Sequence, residues 1–212
     1  MSSERRSGAA IVRKFHARKA EAADSILEHA LRIEPIDEKD ADALPALLHR
    51  HGNQNFTFFG GTPFHETREI FRCLDPQPDE LFCDAGAGYG HVVLYGACVA
   101  PCRLRAIEIL PVRCAAMLRS AQRLGLNNVE VVEGDALTQN YDDVSYLLLN
   151  NPFFPEVAAQ FIGRLTASPN RLLTVIAMNN IVEAFRNERA FTEIDVEVDI
   201  PNYRFGVFRR RG

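Results

Sequence analysis

The sequence predicts an α/β protein with a doubly wound, mainly parallel seven-stranded sheet, a C-terminal β-hairpin and an N-terminal helical cap. Two observations carry this prediction. From residue 81 onward, short apolar or β-branched segments alternate with helical ones, an order typical of parallel sheets. The last two strand-like segments, 191–198 and 203–209, alternate apolar and polar residues on either side of Pro201 and Asn202, which indicates a hairpin.

The composition fits one globular domain. The chain has 212 residues, of which 47% are hydrophobic and 25% charged, so a full core can be buried. No apolar run reaches the length of a membrane span and no signal core is seen, which argues against membrane partners and favours a cytoplasmic protein. The cysteines are odd in number and form no paired C-x-x-C motif, so reduced thiols and no metal site are expected. They are Cys73, Cys83, Cys98, Cys102 and Cys114.

Charge is distributed unevenly along the chain. Residues 1–20 and 209–211 are strongly basic, and a solvated tail is expected over residues 1–10. The remainder is acidic. An acidic body argues against a surface that grips duplex nucleic acid, and it would suit a basic protein substrate.

Residues 1–75 are predicted to hold the basic tail, a helical cap and a lid segment, ahead of a cofactor-binding domain at residues 76–212. Apolar positions over residues 11–33 predict a helix, and a second helix is predicted at 39–49. Together with the aromatic segment 56–61, these helices are expected to cover the carboxyl edge of the sheet and exclude water from it.

The first strand of the sheet leads into a loop with glycines at alternate positions, namely Gly86, Gly88 and Gly90. Glycine turns the chain through positive φ without placing a Cβ against a nucleotide, and the following helix offers free N–H groups. A dinucleotide fingerprint is G-x-G-x-x-G, but His91 stands in the place of its third glycine. Asp84 would repel a pyrophosphate and suits a cofactor with a cationic amino-acid end. The loop, including Ala85, is therefore predicted to bind S-adenosylmethionine (AdoMet).

Acidic residues end the next two predicted strands. Residues 103–107 lead to Glu108, which could accept hydrogen bonds from both ribose hydroxyls, as the same acid would in an NAD site. Residues 129–132 lead to Asp135, which could accept a hydrogen bond from the adenine amino group. Together with Asp84, these acids on successive strand ends are predicted to bind an adenosyl group.

The fourth strand, residues 146–150, stops at Asn150 and Asn151, which Pro152 and Phe153 follow. A carboxamide oxygen and a carbonyl fixed by Pro152 can accept hydrogen bonds from an amine and point its lone pair at a methyl donor. Asn and Pro also form ordinary turns after strands. The glycine loop upstream favours the catalytic interpretation of these four residues.

The remaining elements continue the alternation. Residues 155–166 are predicted to form a helix, residues 171–178 a strand and residues 179–187 a short helix. This order places the ligand crevice at the carboxyl ends of the early strands.

These motifs resemble the class I AdoMet-dependent methyltransferases over residues 78–208, which implies a Rossmann-like methyltransferase fold. More narrowly, the chain resembles a bacterial relative of the disruptor-of-telomeric-silencing family, the histone-lysine methyltransferases without a SET domain. Three segments carry the narrower resemblance. Residues 59–64 resemble the family's Tyr-Gly-Glu-Thr-Ser-Phe lid, residues 81–94 its glycine loop, and residues 150–157 its Asn-Asn-Phe-Ala-Phe-Gly-Pro-Glu-Val segment.

The resemblance implies a role for each matched residue. Thr62 would contact the methionine end of AdoMet, Asp84 and Gly86 would form the cofactor loop, Glu108 would bind ribose, Asp135 would bind adenine, and Asn150 would lie nearest the methyl group. Three positions differ from the family pattern: Gly61 replaces the lid glutamate, His91 the loop glutamine, and Ala136 the phenylalanine that stacks on adenine. One residue is also missing after Asn151, so either asparagine could hold the amine. The Asn-Pro-Phe-Phe register, similar to the Asn-Pro-Pro-Tyr of amino methyltransferases, favours Asn151.

The leading hypothesis is methyl transfer from AdoMet to an amine, with a protein lysine side chain as the expected acceptor. One alternative is an enzyme that methylates a nucleic-acid base or a small-molecule amine, and the acidic body makes nucleic acid the less favoured partner. Another alternative is a non-catalytic, AdoMet-binding regulatory protein, which Gly61 and Ala136 leave open.

Overall fold

A computed structural model describes residues 2–18, 24–34, 61–201 and 204–211. The predicted helix at 39–49 and most of the aromatic lid segment, residues 56–60, lie outside these described residues.

Seven strands form one sheet in the order β3-β2-β1-β4-β5-β7-β6. They are β1 (Leu81–Ala85), β2 (Arg103–Glu108), β3 (Val129–Glu133), β4 (Tyr146–Asn150), β5 (Thr174–Met178), β6 (Phe191–Ile194) and β7 (Phe205–Arg210). Strands β1 to β5 pair in parallel, and β7 runs antiparallel to both of its neighbours. The predicted mainly parallel seven-stranded sheet is confirmed, and so is the antiparallel pairing of the last two strands.

The register brings the carboxyl ends of the parallel strands to one edge. Glu108 of β2 pairs with Glu133 of β3, and Asn150 of β4 pairs with Met178 of β5. Strands β1 and β5 are buried along their whole length, as expected for parallel strands covered on both faces. The polar residues that end the strands therefore converge at this edge.

Helices cover both faces of the sheet. They are α1 (Ser2–Arg18), α2 (Asp24–Leu31), α3 (Phe64–Leu74), α4 (His91–Val99), α5 (Pro111–Leu124), α6 (Pro155–Ala167) and α7 (Val182–Arg186), with a 3₁₀ turn at Asn179–Ile181. Helices α1 to α5 enclose one core with Phe82, which points to one side of β1. Helices α6 and α7 enclose the other core with Leu81 and Cys83, which point to the opposite side.

The N-terminal region differs from the prediction in two respects. Residues 2–18 form helix α1, and Gly8 and Ala9 within it are buried, so the expected solvated tail is wrong for residues 8 and 9. The cap helices α1 and α2 pack against α4 and α5 on one face of the sheet, instead of lying across its carboxyl edge. Within the described residues, no helix is long and apolar enough to cross a membrane.

The basic C-terminal segment is also part of the fold. Arg210 is buried and its guanidinium donates hydrogen bonds to the carbonyls of Thr166, Ser168 and Asn170, where helix α6 ends. The last carbonyls of a helix have no partner within the helix and carry partial negative charge. A charged donor there satisfies these carbonyls, so Arg210 has a structural role.

Candidate functional site

The loop after β1 is pinned to the end of β2. The N–H groups of Gly86 and Ala87 both donate to the carbonyl of Ile107, at 2.9 and 3.0 Å. Gly86 has φ +88°, and a Cβ added there would lie 3.1 Å from the Cβ of Pro152. The loop thus needs glycine both for its backbone conformation and for its close approach to the segment after β4.

Gly90 has a different function in the structure. It precedes helix α4 with φ +82°, and a Cβ at this position would lie 2.6 Å from Cγ of Met117 in α5. Gly90 therefore allows two helices to pack closely, and it does not line the cavity described below.

Asp84 and Glu108 bring two carboxylates together at the ends of β1 and β2. Both side chains are buried. Burial, and secondarily the charge of Glu108, raises the pKa of Asp84 to about 7. Burial also raises the pKa of Glu108, an effect that Arg113 and backbone N–H groups oppose. The site therefore concentrates acidic groups that lack the stabilisation of water.

Glu108 also braces the glycine loop. Its Oε2 accepts a hydrogen bond from the N–H of Gly88 at 2.8 Å, and its Oε1 accepts one from the N–H of Leu110 at 2.9 Å. Nη1 of Arg113 lies 4.0 Å from Oε2, and its guanidinium lies 5.7 Å from the ring centroid of Tyr89. The sequence prediction did not include Arg113, because an arginine on an amphipathic helix is usually a surface residue.

The end of β3 contributes backbone and Ala136 to the site. Gly134 and Ala136 line the cavity, whereas Asp135 does not. Oδ1 of Asp135 accepts a hydrogen bond from the N–H of Leu137 at 2.7 Å, which closes a local turn. A contact between Asp135 and adenine stays a prediction, made from the strand end alone.

The two asparagines at the end of β4, Asn150 and Asn151, are already hydrogen-bonded. Asn150 donates through Nδ2 to Oγ1 of Thr62 at 2.9 Å, and its Oδ1 accepts from Nδ2 of Asn179 at 2.6 Å. Asn151 has φ +50°, and its Oδ1 accepts from the N–H of Asn180 at 3.0 Å. Each amide oxygen keeps a second lone pair for a ligand.

Asn179 and Arg204 extend this network. Nε of Arg204 donates to Oδ1 of Asn179 at 2.9 Å. Asn179 directly follows β5, and Asn150 is the last residue of β4, so a search for polar residues at the ends of strands could have found Asn179. Arg204 precedes β7, and no local sequence signal marks it.

The aromatic residues after Pro152 face different environments. Phe153 is buried and packs on Phe161, with ring centroids 4.6 Å apart. Phe154 is 38% exposed. Phe153 and the buried residue Ala85 belong to the core that helices α6 and α7 enclose, and neither residue lines the cavity.

The described end of the lid contacts the helix after the loop. A Cβ at Gly61 would lie 3.2 Å from the imidazole ring of His91, and Nε2 of His91 lies 3.1 Å from Oε1 of Glu28. The His91 ring occupies space that a side chain at position 61 would need.

A cavity of about 360 Å³ lies at the carboxyl edge of the sheet, and many of the predicted site residues line it. The predicted site residues that line it are Thr62, Asp84, Gly86, Gly88, Glu108, Ala136, Asn150, Asn151 and Pro152. Arg113, Asn179 and Arg204 also line it. Among the described residues, no group of three or more His, Cys, Asp or Glu side chains is placed to hold a metal ion.

Comparison with known proteins gives similarity of structure only. No protein-family model matches the chain, and no curated protein matches it in sequence. An RNA methyltransferase from Salinibacter ruber, crystallised with S-adenosyl-L-homocysteine, is similar with a TM-score of 0.53 and 18% identity, over 70% of this chain and 91% of that chain. A methyltransferase from Geobacter sulfurreducens has a TM-score of 0.56 and 16% identity, over 90% of this chain and 99% of that chain.

A third similar structure is the M1A22 tRNA methyltransferase TrmK from B. subtilis. Its TM-score is 0.55 at 13% identity, over 69% of this chain and 65% of that chain. None of these three proteins is named as a histone-lysine methyltransferase, so the narrower resemblance finds no support here. The chain has the Rossmann-like α/β fold of class I AdoMet-dependent methyltransferases.

Proposed function

We propose that the protein is an AdoMet-dependent N-methyltransferase that acts on a base nitrogen of a nucleic acid. One observation carries the proposal. The glycine loop, with its two buried acids Asp84 and Glu108, faces the same cavity as Asn150, Asn151 and Pro152. A binding site for a cationic adenosyl cofactor and a set of amine-orienting groups thus share one space.

The residues of the cavity suit AdoMet better than a phosphate-bearing nucleotide. Two carboxylates repel phosphate, and Arg113 lies beside Glu108, which leaves Asp84 to balance a cationic ligand. Glu108 would hold the ribose hydroxyls, and the bare backbone at Gly86 would let the cofactor approach. Bound AdoMet supplies an electrophilic methyl group.

The amide groups would orient the acceptor nitrogen. The free lone pairs of Oδ1 on Asn150 or Asn151 can each accept a hydrogen bond from an N–H of the acceptor, which aims the nitrogen lone pair at the methyl group. In such a transfer the acceptor nitrogen would take the methyl group, S-adenosylhomocysteine would leave as the neutral thioether, and the extra proton on the nitrogen would pass to water. Pro152 fixes the backbone that carries both amides.

Two observations favour a nucleic-acid base over a lysine side chain. Phe154 follows the amide segment and leaves an aromatic ring partly exposed, on which a flipped or single-stranded base can stack. Two of the structures with the same fold are named RNA and tRNA methyltransferases. The acidic body argues against binding along a duplex, but a base presented from a single strand needs only local contacts.

The acceptor can be identified by labelling. We would incubate the protein with tritiated AdoMet and a native lysate, and treat separate samples with nuclease and with protease. We expect label that nuclease releases and protease leaves in place. Label that only protease releases would replace the base with a protein side chain as the acceptor, and label in the small-molecule fraction would point to a free amine.

Single replacements separate cofactor binding from transfer. Asn151→Ala and Asn150→Ala should each leave AdoMet affinity, measured by calorimetry, within about threefold of the parent, because the cofactor acids remain. Incorporation of label should fall by about tenfold or more in at least one variant, because the amine loses its orienting acceptor. Equal turnover by both variants and the parent would show that neither amide holds the acceptor.

A further inference from the structure

Four polar side chains form a continuous hydrogen-bonded chain along one wall of the cavity. Arg204 Nε donates to Asn179 Oδ1 at 2.9 Å, and Asn179 Nδ2 donates to Asn150 Oδ1 at 2.6 Å. Asn150 Nδ2 then donates to Thr62 Oγ1 at 2.9 Å. The chain links residues that are 25, 29 and 88 positions apart in the sequence.

The direction of every bond in this chain follows from its first member. A guanidinium only donates, so the Asn179 atom that faces Arg204 must be the oxygen. The amide nitrogen of Asn179 then faces Asn150 and must meet an oxygen, which leaves the nitrogen of Asn150 to face Thr62. Asparagine alone could take either of two orientations at such a site. Arg204 removes this ambiguity.

Arg204 is itself held by a buried acid. Glu66 of α3 is only 3% exposed, and its Oε1 lies 3.8 Å from Nη1 of Arg204. Oε2 of Glu66 has no hydrogen-bond partner among the described residues. A buried carboxylate favours a cation beside it, so this contact contributes to keeping the partly exposed Arg204 guanidinium next to Asn179.

We propose that Arg204 and Asn179 are positioning residues that fix the orientation of the Asn150 carboxamide for methyl transfer. This inference rests on the proposed function. Arg204 fixes the orientation of the Asn179 amide, and Asn179 in turn fixes the orientation of the Asn150 amide. Asn150 then presents its oxygen on the side of Asn179 and its nitrogen on the side of Thr62. A reversed amide would offer the acceptor a different set of donors and acceptors.

Asn179→Asp should reverse the orientation of the Asn150 amide while keeping a side chain of the same size at position 179. An aspartate accepts from Arg204 as before, but its second oxygen repels the oxygen of Asn150. The Asn150 amide is then expected to turn, so that its nitrogen faces residue 179 and its oxygen accepts from the hydroxyl of Thr62. Every bond is remade, so thermal stability should stay close to that of the parent while turnover falls by about tenfold or more.

Variants of Arg204 provide the complementary test. Arg204→Lys keeps a group that only donates, and it should retain most of the turnover. Arg204→Met leaves Asn179 free to take either orientation, and turnover should fall. Asn127→Asp is the matched control, because it makes the same change at an exposed asparagine outside the cavity.

Nuclear magnetic resonance reports the orientation without any need for activity. In the parent and in Arg204→Lys, the side-chain NH₂ protons of Asn150 should show contacts to Thr62, and in Asn179→Asp these contacts should move to residue 179. Retention of the Thr62 contacts in Asn179→Asp would overturn the proposal, as would unchanged turnover after the reversal. A parent protein that binds no AdoMet would overturn the proposed function instead, while the contacts still decide the order of the chain.

Discussion

Replacement of Glu108 with glutamine tests the cofactor site at one of its two buried acids. The carboxylate accepts hydrogen bonds from the N–H groups of Gly88 and Leu110 in addition to its proposed contact with ribose. Glutamine has one accepting atom in place of two. One of the two N–H groups must therefore face an amide NH₂, and Arg113 loses its neighbouring charge.

The size of the effect follows from these contacts. An unsatisfied buried donor costs about 1–3 kcal/mol, so the free energy of unfolding should fall by that amount. Hydrogen bonds to a charged acceptor are worth about 1.5–3 kcal/mol and neutral ones about 0.5–1.5 kcal/mol. The loss of charge assistance at two ribose hydroxyls should therefore weaken adenosyl ligands by about 10- to 100-fold.

A thermodynamic double-mutant cycle separates the hydrogen bonds of Glu108 to Gly88 and Leu110 from its proposed contact with ribose. Calorimetry would measure S-adenosylhomocysteine and its 2′,3′-dideoxy analogue with the parent and with Glu108→Gln. Removal of the hydroxyls should cost about 10- to 100-fold in the parent and clearly less in the variant. Glu133→Gln is the matched control, because Glu133 pairs with Glu108 across β2 and β3 and is exposed.

The result that refutes this reasoning is specific. If the hydroxyls contribute the same affinity in the parent and in Glu108→Gln, the carboxylate only supports the glycine loop. The assignment of Glu108 to ribose would then be wrong, even if the variant binds more weakly.

Three further predictions concern stability and pH. Gly90→Ala should lower the free energy of unfolding by about 2–5 kcal/mol in chemical denaturation, because it adds a steric clash with Met117 to backbone strain. Gly125→Ala, which is also at positive φ but has open space around it, should lower it by only about 1–2 kcal/mol. Equal losses in the two variants would show that the clash with Met117 contributes nothing. Arg210→Met should cost about 1–3 kcal/mol in the same assay, because the partly buried carbonyls at the end of α6 lose their charged donor, and the exposed Arg209→Met should cost under about 0.5 kcal/mol. Similar losses for the two variants would show that Arg210 does not cap the helix. Burial raises the pKa of Asp84 to about 7, so AdoMet affinity should rise from about pH 6 to about pH 8 as the carboxylate ionises, and Asp84→Asn should flatten this profile. The same raised pKa means that the ligand-free protein loses stability as the pH rises from about 4, the value of an unfolded aspartate, through about 7.

The sequence by itself determined the order of the elements and the place of the ligand edge. Hydrophobic periodicity, glycine and proline influence the backbone conformation of only a few neighbouring residues. The strands that end at Ala85, Glu108 and Asn150 could therefore be located from the sequence alone. Two predicted strands were too long, since 171–178 begins at Thr174 and 191–198 ends at Ile194.

Only the tertiary structure decided which polar groups meet. Glu108 ends β2 and lines the cavity, whereas Asp135 lies two residues beyond the end of β3, accepts a hydrogen bond within a local turn and does not line the cavity. Neither Arg204 nor Glu66 belongs to a recognisable motif. Arg204 lines the cavity and precedes β7, which pairs with β5, and Glu66 of α3 lies 3.8 Å from Arg204. The physical reason is that local and tertiary interactions act over different separations in the sequence. Backbone propensity depends on neighbours in sequence, whereas burial, hydrogen-bond direction and charge depend on residues that the chain brings together from far apart.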